Sequence, residues 1–251
     1  MRDITVASYN MHKGIGRDRR RDPARTTRVI GELGADIVAL QEADRRFGNR
    51  AGVLDLGRLR ALTGLSPVPI EGRGRAHGWH GNLLLIREEG IEIEDVQQVD
   101  LPGLEPRGAL MVTLRWHGHP LRVIGAHLGL LRASRLVQAR VLDALLQEGD
   151  DIPTLLLGDF NEWRRARRSS LEPLALSRAG HDRLVASFPA RYPLLPLDRI
   201  LTCPAADILE LTSHESPLAR VASDHLPIRA RVRLKRPDDT SASDSRRRGT
   251  G

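Results

Sequence analysis

The feature that most limits what this chain can fold into is a run of leucines that ends abruptly in polar residues. Leu155, Leu156 and Leu157 read as the end of a buried strand, and Gly158, Asp159, Phe160 and Asn161 follow at once. Gly158 lets the backbone turn closely and Phe160 turns into the core. Asp159 and Asn161, two positions apart, bring a carboxylate and an amide to the same side of the chain. An Asx-type turn that merely closes the strand has the same local look. Repetition separates the two readings. Asn10 ends the strand Ile4 to Tyr9, Glu42 follows Asp36 to Leu40, and His127 ends Leu121 to Ala126. Asp198 opens a strand, and Asp224 and His225 precede the last one. Ligands gather at the carboxyl ends of strands in sheet-rich α/β proteins, so this repetition predicts one site on one edge.

The intervening chain supplies few helices. Asp22-Pro23 is an N-cap followed by proline at the first helical position, which predicts a helix to about Leu33, stopped by Gly34. A second helix is expected around Leu54 to Leu62. A third, capped by Ser134, should carry Leu136, Val137, Val141, Leu142, Leu145 and Leu146 on an apolar face until Gly149. A short helical piece is expected near Leu171 to Ala179. Strands are more numerous: Asn82 to Ile86, an exposed alternating Ile91 to Val99, and Ala109 to Trp116 joined to Leu121 to Ala126 through His117-Gly118-His119-Pro120. Ile152 to Leu157, Asp198 to Leu201, Asp207 to Leu211 and Leu226 to Leu234 complete the count. A purely parallel series does not fit so many strands and hairpins. Two packed sheets with helices outside them do. Residues 1–235 are expected to form one domain. Residues 236–251 lack apolar spacing and read as a disordered polar tail.

Composition narrows the function classes. Net charge is +7, almost all of it arginine, which favours an anionic partner. Aromatic residues are only 3%, too few for an extended base-stacking platform. The single cysteine, Cys203, cannot form an internal disulfide, so a reducing, cytoplasmic setting is expected. No run of residues is long and apolar enough to span a membrane, no signal-peptide pattern opens the chain, and a monomer is expected. The strand-end residues themselves are coherent. Glu42 with Asn10 and an aspartate offers oxygen ligands of the kind Mg²⁺ prefers, with Mn²⁺ as the alternative. Histidines beside carboxylates suit proton transfer and stabilisation of negative charge.

The segments Ser8-Tyr9-Asn10, Leu40-Gln41-Glu42, Ala126-His127-Leu128, Gly158-Asp159-Phe160-Asn161, Leu197-Asp198-Arg199-Ile200 and Ser223-Asp224-His225 together resemble, in order, the motifs of the endonuclease/exonuclease/phosphatase superfamily. Its members include DNase I-like nucleases, apurinic endonucleases, neutral sphingomyelinases and inositol polyphosphate 5-phosphatases, and the short form resembles its small bacterial members. The resemblance implies a four-layered αββα sandwich of two mixed sheets flanked by helices. It also implies a divalent-metal-dependent hydrolase that attacks a phosphoester with activated water and forms no covalent intermediate. By the same resemblance Glu42 holds the metal, supported by Asn10 and Asp224. Asp159 positions or deprotonates the water, and Asn161 orients it and binds the phosphate. His225, paired with Asp198, activates water or contacts phosphate, and His127 stabilises the transition state or assists the leaving group. A nuclease acting on DNA or RNA is the leading expectation. A phosphodiesterase or phosphatase for phospholipid or small phosphoesters, with peripheral membrane contact, is the alternative, and an inactive anion-binding module is the third. The stretch Tyr192 to Leu197 lacks the tryptophan expected of an abasic-site enzyme, which weakens a base-repair role.

His12 and Lys13 follow Asn10 directly and are candidates for phosphate contact. His77 and His80, in a loop with Arg73 and Arg75, have metal-like spacing without a thiolate or third ligand, so a structural or substrate-contacting role is expected. The arginines from Arg164 to Arg168 are candidates for gripping a polyanion.

Overall fold

The structure, a computed structural model, describes residues 3–45, 51–72, 74–147, 152–164, 168–175 and 183–235. Eleven strands form two sheets among them. The six-stranded sheet has the order β10 (Ala206–Ser213), β11 (Ile228–Leu234), β1 (Asp3–Asn10), β2 (Ile37–Gln41), β4 (Leu83–Arg87), β3 (Leu65–Pro67). The five-stranded sheet runs β5 (Ile91–Leu101), β6 (Arg107–Trp116), β7 (His119–His127), β8 (Thr154–Asp159), β9 (Asp198–Thr202).

Each sheet holds one parallel pair joined by a helix. β1 and β2 are parallel, linked through α1 (Pro23–Glu32), and β7 and β8 are parallel, linked through α3 (Arg132–Gln147). The other pairings are antiparallel. The strands of both parallel pairs therefore end on one edge. β9 and β11, antiparallel to β8 and β1, begin there: Asp198 is the register partner of Asp159, and Ile228 of Ser8.

Strand alternation sorts the apolar residues into layers. Ile4, Val6, Ile37, Ala39, Val123, Leu155, Leu157 and Ile200 point inward and form the core between the sheets. Val38 and Leu40 point the other way, under α1 (Val29, Ile30, Leu33) and α2 (Leu56–Thr63, through Leu59). Ile124, Ala126 and Leu156 pack against α3 through Ala139 and Leu142. Strands buried on both faces show no polar alternation, which is why the leucine run before Gly158 is continuous. This is the expected four-layered αββα arrangement.

Local signals held at two helices and failed at the third. Asp22 caps α1 by accepting from Arg25 N at 2.9 Å, and Gly64 ends α2 in the left-handed conformation. Helix α3 starts at Arg132, so Ser134 lies inside it rather than capping it. Val137 is exposed, and the buried stripe instead contains Arg135 and Gln138. The segment after Gly64 forms β3, a strand not expected from the sequence. The helical piece near Leu171 is a 3-10 turn over Glu172–Ala175. The rest of that expected piece lies outside the described residues, as do the expected tail 236–251, Arg73 and the arginines at 165–167. A small helix, α4 (Ala219–Ala222), precedes the last polar motif.

Candidate active site

Alternation also builds the site. Continuing the inward-facing series past their last apolar residues reaches Asn10 in β1 (through Ser8), His127 in β7 (through Gly125) and Asp159 in β8, while Asp198 starts the inward series of β9. The site is the last layer of the inter-sheet core, with polar residues in place of apolar ones. All four are buried, at 3%, 3%, 1% and 1% exposure.

Asp159 is the hub. Asn10 Nδ2 donates to its Oδ2 at 2.9 Å, across the two sheets. The backbone N–H of Asn161 donates to its Oδ1 at 2.9 Å, so the Asx turn is present and serves to fix the carboxylate. His127 Nε2 and His225 Nε2 stand 3.5 and 3.7 Å from Oδ2. Burial, with Asp198 adding to it against the pull of His225, raises the Asp159 pKa to about 6. Gly158 is required by its neighbour: a Cβ there would lie 1.8 Å from the carbonyl oxygen of Ala126.

His225 is oriented from behind. Its Nδ1 lies 2.8 Å from Asp198 Oδ2, which also accepts from Ser187 Oγ at 2.5 Å. Burial opposes its charge, but Asp198 and then Asp159 overcome it and raise the pKa to about 10. His127 is driven the other way, well below the ordinary histidine range, by burial and then by the Arg107 guanidinium. Arg107 Nη1 sits 2.9 and 3.0 Å from the two ring nitrogens, a donor facing a neutral ring. One imidazole is thus cationic and the other neutral across a shared carboxylate.

Glu42 and Asn161 lie outside strand alternation, and both adopt left-handed backbone, at φ 56° and 51°. For glutamate that conformation costs about 1–2 kcal/mol. It re-aims Glu42 after Gln41, whose Oε1 accepts from Ser8 Oγ at 3.4 Å inside the core. The Lys13 ammonium sits on Glu42 Oε2. Burial opposes ionisation of Glu42, yet the positive charge around it, with the Lys13 ammonium seated on its Oε2, brings its pKa to about 2. Asp224 lies 3.6 Å from His12 Nδ1, and Ser223 beside it donates to the Asn10 carbonyl at 2.8 Å. Asn161 Nδ2 donates to Leu128 O at 2.9 Å, which fixes its amide plane.

The donor chemistry suits a divalent cation. Asp159, Asp198 and His225 offer ligand atoms all within 4.8 Å of one another. Asp198 Oδ1 is buried with no hydrogen-bond partner among the described residues, and at Glu42 a lysine ammonium already stands as a cation against an ionised carboxylate. The grouping of Asp159, Asp198 and His225 falls on residues that sequence reasoning gave to catalysis rather than to the metal.

Sequence reasoning missed three supports. Ser187 belongs to a loop that folds back onto Leu195, with no periodic signal to mark it. Arg107, on His127, is only the first residue of a strand. Glu162, directly after Asn161, forms a buried pair with Arg135 of α3 at 3.5 Å and accepts from Ser170 N at 2.8 Å. A charged residue following the polar motif was the available clue. His77 and His80 do not converge: the first contacts Leu54 O at 2.8 Å and the second Asp100 at 3.1 Å.

Two mixed sheets packed face to face, with a buried Asp, Asp and His on their common edge, are the DNase I-like architecture with a site consistent with a divalent-metal phosphoesterase. The chain belongs to the Endonuclease/Exonuclease/phosphatase family, whose model matches residues 7–225. It is 30% identical over 257 residues to the uncharacterized protein YbhP of Escherichia coli (strain K12), covering 91% of this chain and 96% of that one. Among solved structures it resembles the endonuclease/exonuclease/phosphatase from Beutenbergia cavernae DSM 12333, with a TM-score of 0.66 and 23% identity, over 94% of this chain and 72% of that one. It also resembles D. rerio TDP2 complexed with single strand DNA product, at a TM-score of 0.69 and 17% identity, over 93% of this chain and all (100%) of that one.

Proposed function

We propose that this chain is a divalent-metal-dependent phosphodiesterase that uses water directly, with no covalent intermediate on the protein. The observation that carries this reading is Asp159: a buried carboxylate with a pKa near 6, fixed by Asn10 and Asn161 and flanked by two histidines of opposite character. A base with a pKa close to the working pH is both ionised and able to take a proton. In the proposed step the oxygen of water forms a bond to phosphorus, its proton passes to Asp159, and the bond to the leaving oxygen breaks. His225 is held charged by Asp198, so its role is to donate to the phosphate rather than to act as the base. Asn161 orients the water. His127, neutral and backed by Arg107, faces the developing negative charge on the leaving side. Glu42 with Asn10 and Asp224 would hold the ion, while the Asp159–Asp198–His225 grouping, whose protonated imidazole has no lone pair for a metal, serves proton transfer and phosphate contact; Lys13 then turns to substrate phosphate. A bound Mg²⁺ or Mn²⁺ supplies Lewis-acid polarisation of the phosphoryl oxygens.

Two observations bear on the substrate. The charge of +7, carried largely by arginine, supports a nucleic acid, as does the DNA product held by the similar D. rerio protein. A phospholipid diester is the second reading, supported by an apolar rim described below. The lone Cys203 supports a reducing, cytoplasmic setting. The test is metal-dependent turnover of bis-p-nitrophenyl phosphate, supercoiled DNA, abasic duplex and phospholipid diesters, with Asp159→Asn as control. Turnover should fall ~10²–10⁴-fold in the variant. No turnover of any diester, or an unimpaired folded variant, would overturn the reading.

A further inference from the structure

Eight large apolar side chains are substantially exposed among the described residues, and their distribution is not random. Leu62 and Val137 stand singly on α2 and α3. The other six, Leu104, Leu130, Leu131, Trp163, Tyr192 and Leu194, lie on loops at the site edge, with exposures from 45% at Trp163 to 84% at Leu104. Leu104 precedes Arg107, which touches His127, and Leu130 and Leu131 follow His127 itself. Trp163 comes just after Asn161, and Tyr192 and Leu194 just before Asp198. Isolated exposed apolar residues need no explanation, but a group on one edge marks an interaction surface.

These side chains are presented on anchored backbone. Leu130 N donates to Glu105 Oε1 at 2.9 Å, and Arg135 Nη1 donates to the carbonyl of Gly129 at 3.2 Å. Leu194 N and Leu195 N both donate to Phe188 O, at 2.9 and 2.8 Å. Each aromatic carries a cation: the Arg164 guanidinium lies 4.9 Å from the Trp163 ring centroid and that of Arg191 5.2 Å from Tyr192. Exposed Arg132 opens α3 directly after Leu131, and Arg168 is exposed as well.

We infer that this rim docks the site edge onto an anionic phospholipid surface. Leucine has no π-face on which a base can stack, so the four leucines contribute nothing to single-strand binding of the aromatic kind. They do suit the acyl boundary of a bilayer, where tryptophan and tyrosine settle at headgroup depth and arginines meet lipid phosphates. The arginines suit either polyanion; the four exposed leucines and their continuity with the site favour this partner over nucleic acid. The inference goes beyond the hydrolytic reading and does not depend on turnover, so the two fail separately.

The test is flotation of the full chain with phosphatidylglycerol-containing vesicles and with pure phosphatidylcholine vesicles. A double variant, Leu104→Ser with Leu194→Ser, changes two exposed positions outside the catalytic set, and circular dichroism with a thermal melt monitors its fold. The expected result is flotation with anionic vesicles only, weakened roughly tenfold or more in the double variant, with the melt unchanged. Arg164→Ser with Arg191→Ser should weaken it too. Absence of flotation, equal flotation with neutral vesicles, or full flotation of the leucine variant overturns the inference. So does a leucine variant that loses oligonucleotide binding while its vesicle binding persists.

Discussion

His225 carries a proton that the fold itself pays to keep. Its imidazole is buried, yet Asp198 at 2.8 Å and Asp159 at 3.7 Å hold its pKa near 10, above the ordinary 6.5. A raised folded-state value gives stability that is whole below about 6.5 and lost as pH rises toward 10. The metal-free protein, melted in chelator, should therefore be more stable than His225→Gln at pH 6, with the gap closing by pH ~10. A constant gap across that range would remove the ion pair from the account. Glu42 behaves oppositely. With its pKa near 2 rather than 4.5, its contribution is present above 4.5 and lost as pH falls toward 2. Lys13→Met should weaken that acid limb, read by the same melts. Residue identities of this kind were legible in the sequence, because the ends of hydrophobic strands marked Asn10, Glu42, His127, Asp159, Asp198 and His225. Their charge states were not. Whether a histidine between strand ends is cationic or neutral depends on what stands behind it, Asp198 for His225 and Arg107 for His127, and those partners come from distant parts of the chain.

At the level of elements, the parallel pair β7–β8 sets the site's spacing. Ala126 pairs with Gly158 and His127 with Asp159, and the missing Cβ at Gly158 is what allows the two backbones this approach. Gly158→Ala places a methyl against a backbone carbonyl that cannot rotate away. It should cost about 1–3 kcal/mol and displace Asp159 from Asn10, so turnover falls further than stability alone explains. Denaturation midpoints and steady-state rates on the same preparation check this; a variant as active as the parent would mean that the strands part without moving the carboxylate. Helix α3 shows where pattern reading stops. Its leucines and valines predicted a wholly apolar contact face, but Arg135 enters the buried stripe to meet Glu162 and the carbonyls of Gly129 and Leu130. An arginine is placed outside by hydropathy and inside by this network. Nothing local to the helix announces it. Removing it in Arg135→Ala leaves the buried Glu162 carboxylate without its counter-ion, held only by Ser170 and the Arg164 N–H among the described residues, a loss of about 3–5 kcal/mol. Chemical denaturation measures it, and a loss below ~1 kcal/mol would mean that water replaces the guanidinium.

On the scale of the molecule, the site exists only because two sheets meet. Asn10, Glu42, Asp224 and His225 are carried by the six-stranded sheet and its flanking turns. His127, Asp159, Asn161 and Asp198 come from the five-stranded one. The hydrogen bond from Asn10 to Asp159 and the contact of His225 with Asp198 both cross that seam. The two-sheet architecture could be read from strand count and hairpin signals, whereas the distance between sheets is set by side-chain volume at particular layers. Gly125 is one such layer, two residues before His127 on the same face: a Cβ there would lie 3.1 Å from Leu84 Cδ2 and 3.6 Å from Ala39 Cβ of the opposing sheet. Gly125→Leu should wedge the sheets apart beside the site, at about 1–3 kcal/mol of stability. Leu114→Ala provides the comparison. It opens a cavity in the same inter-sheet core toward the opposite end of β6 and β7, where Leu114 pairs with Leu121, at about 2–5 kcal/mol. If seam spacing governs chemistry, Gly125→Leu loses most of its kcat at a temperature where both variants are fully folded. Leu114→Ala, though at least as destabilised, keeps most of it. Equal rates in the two would show that the seam is plastic and that each sheet's half of the site finds the other regardless of the layer beneath.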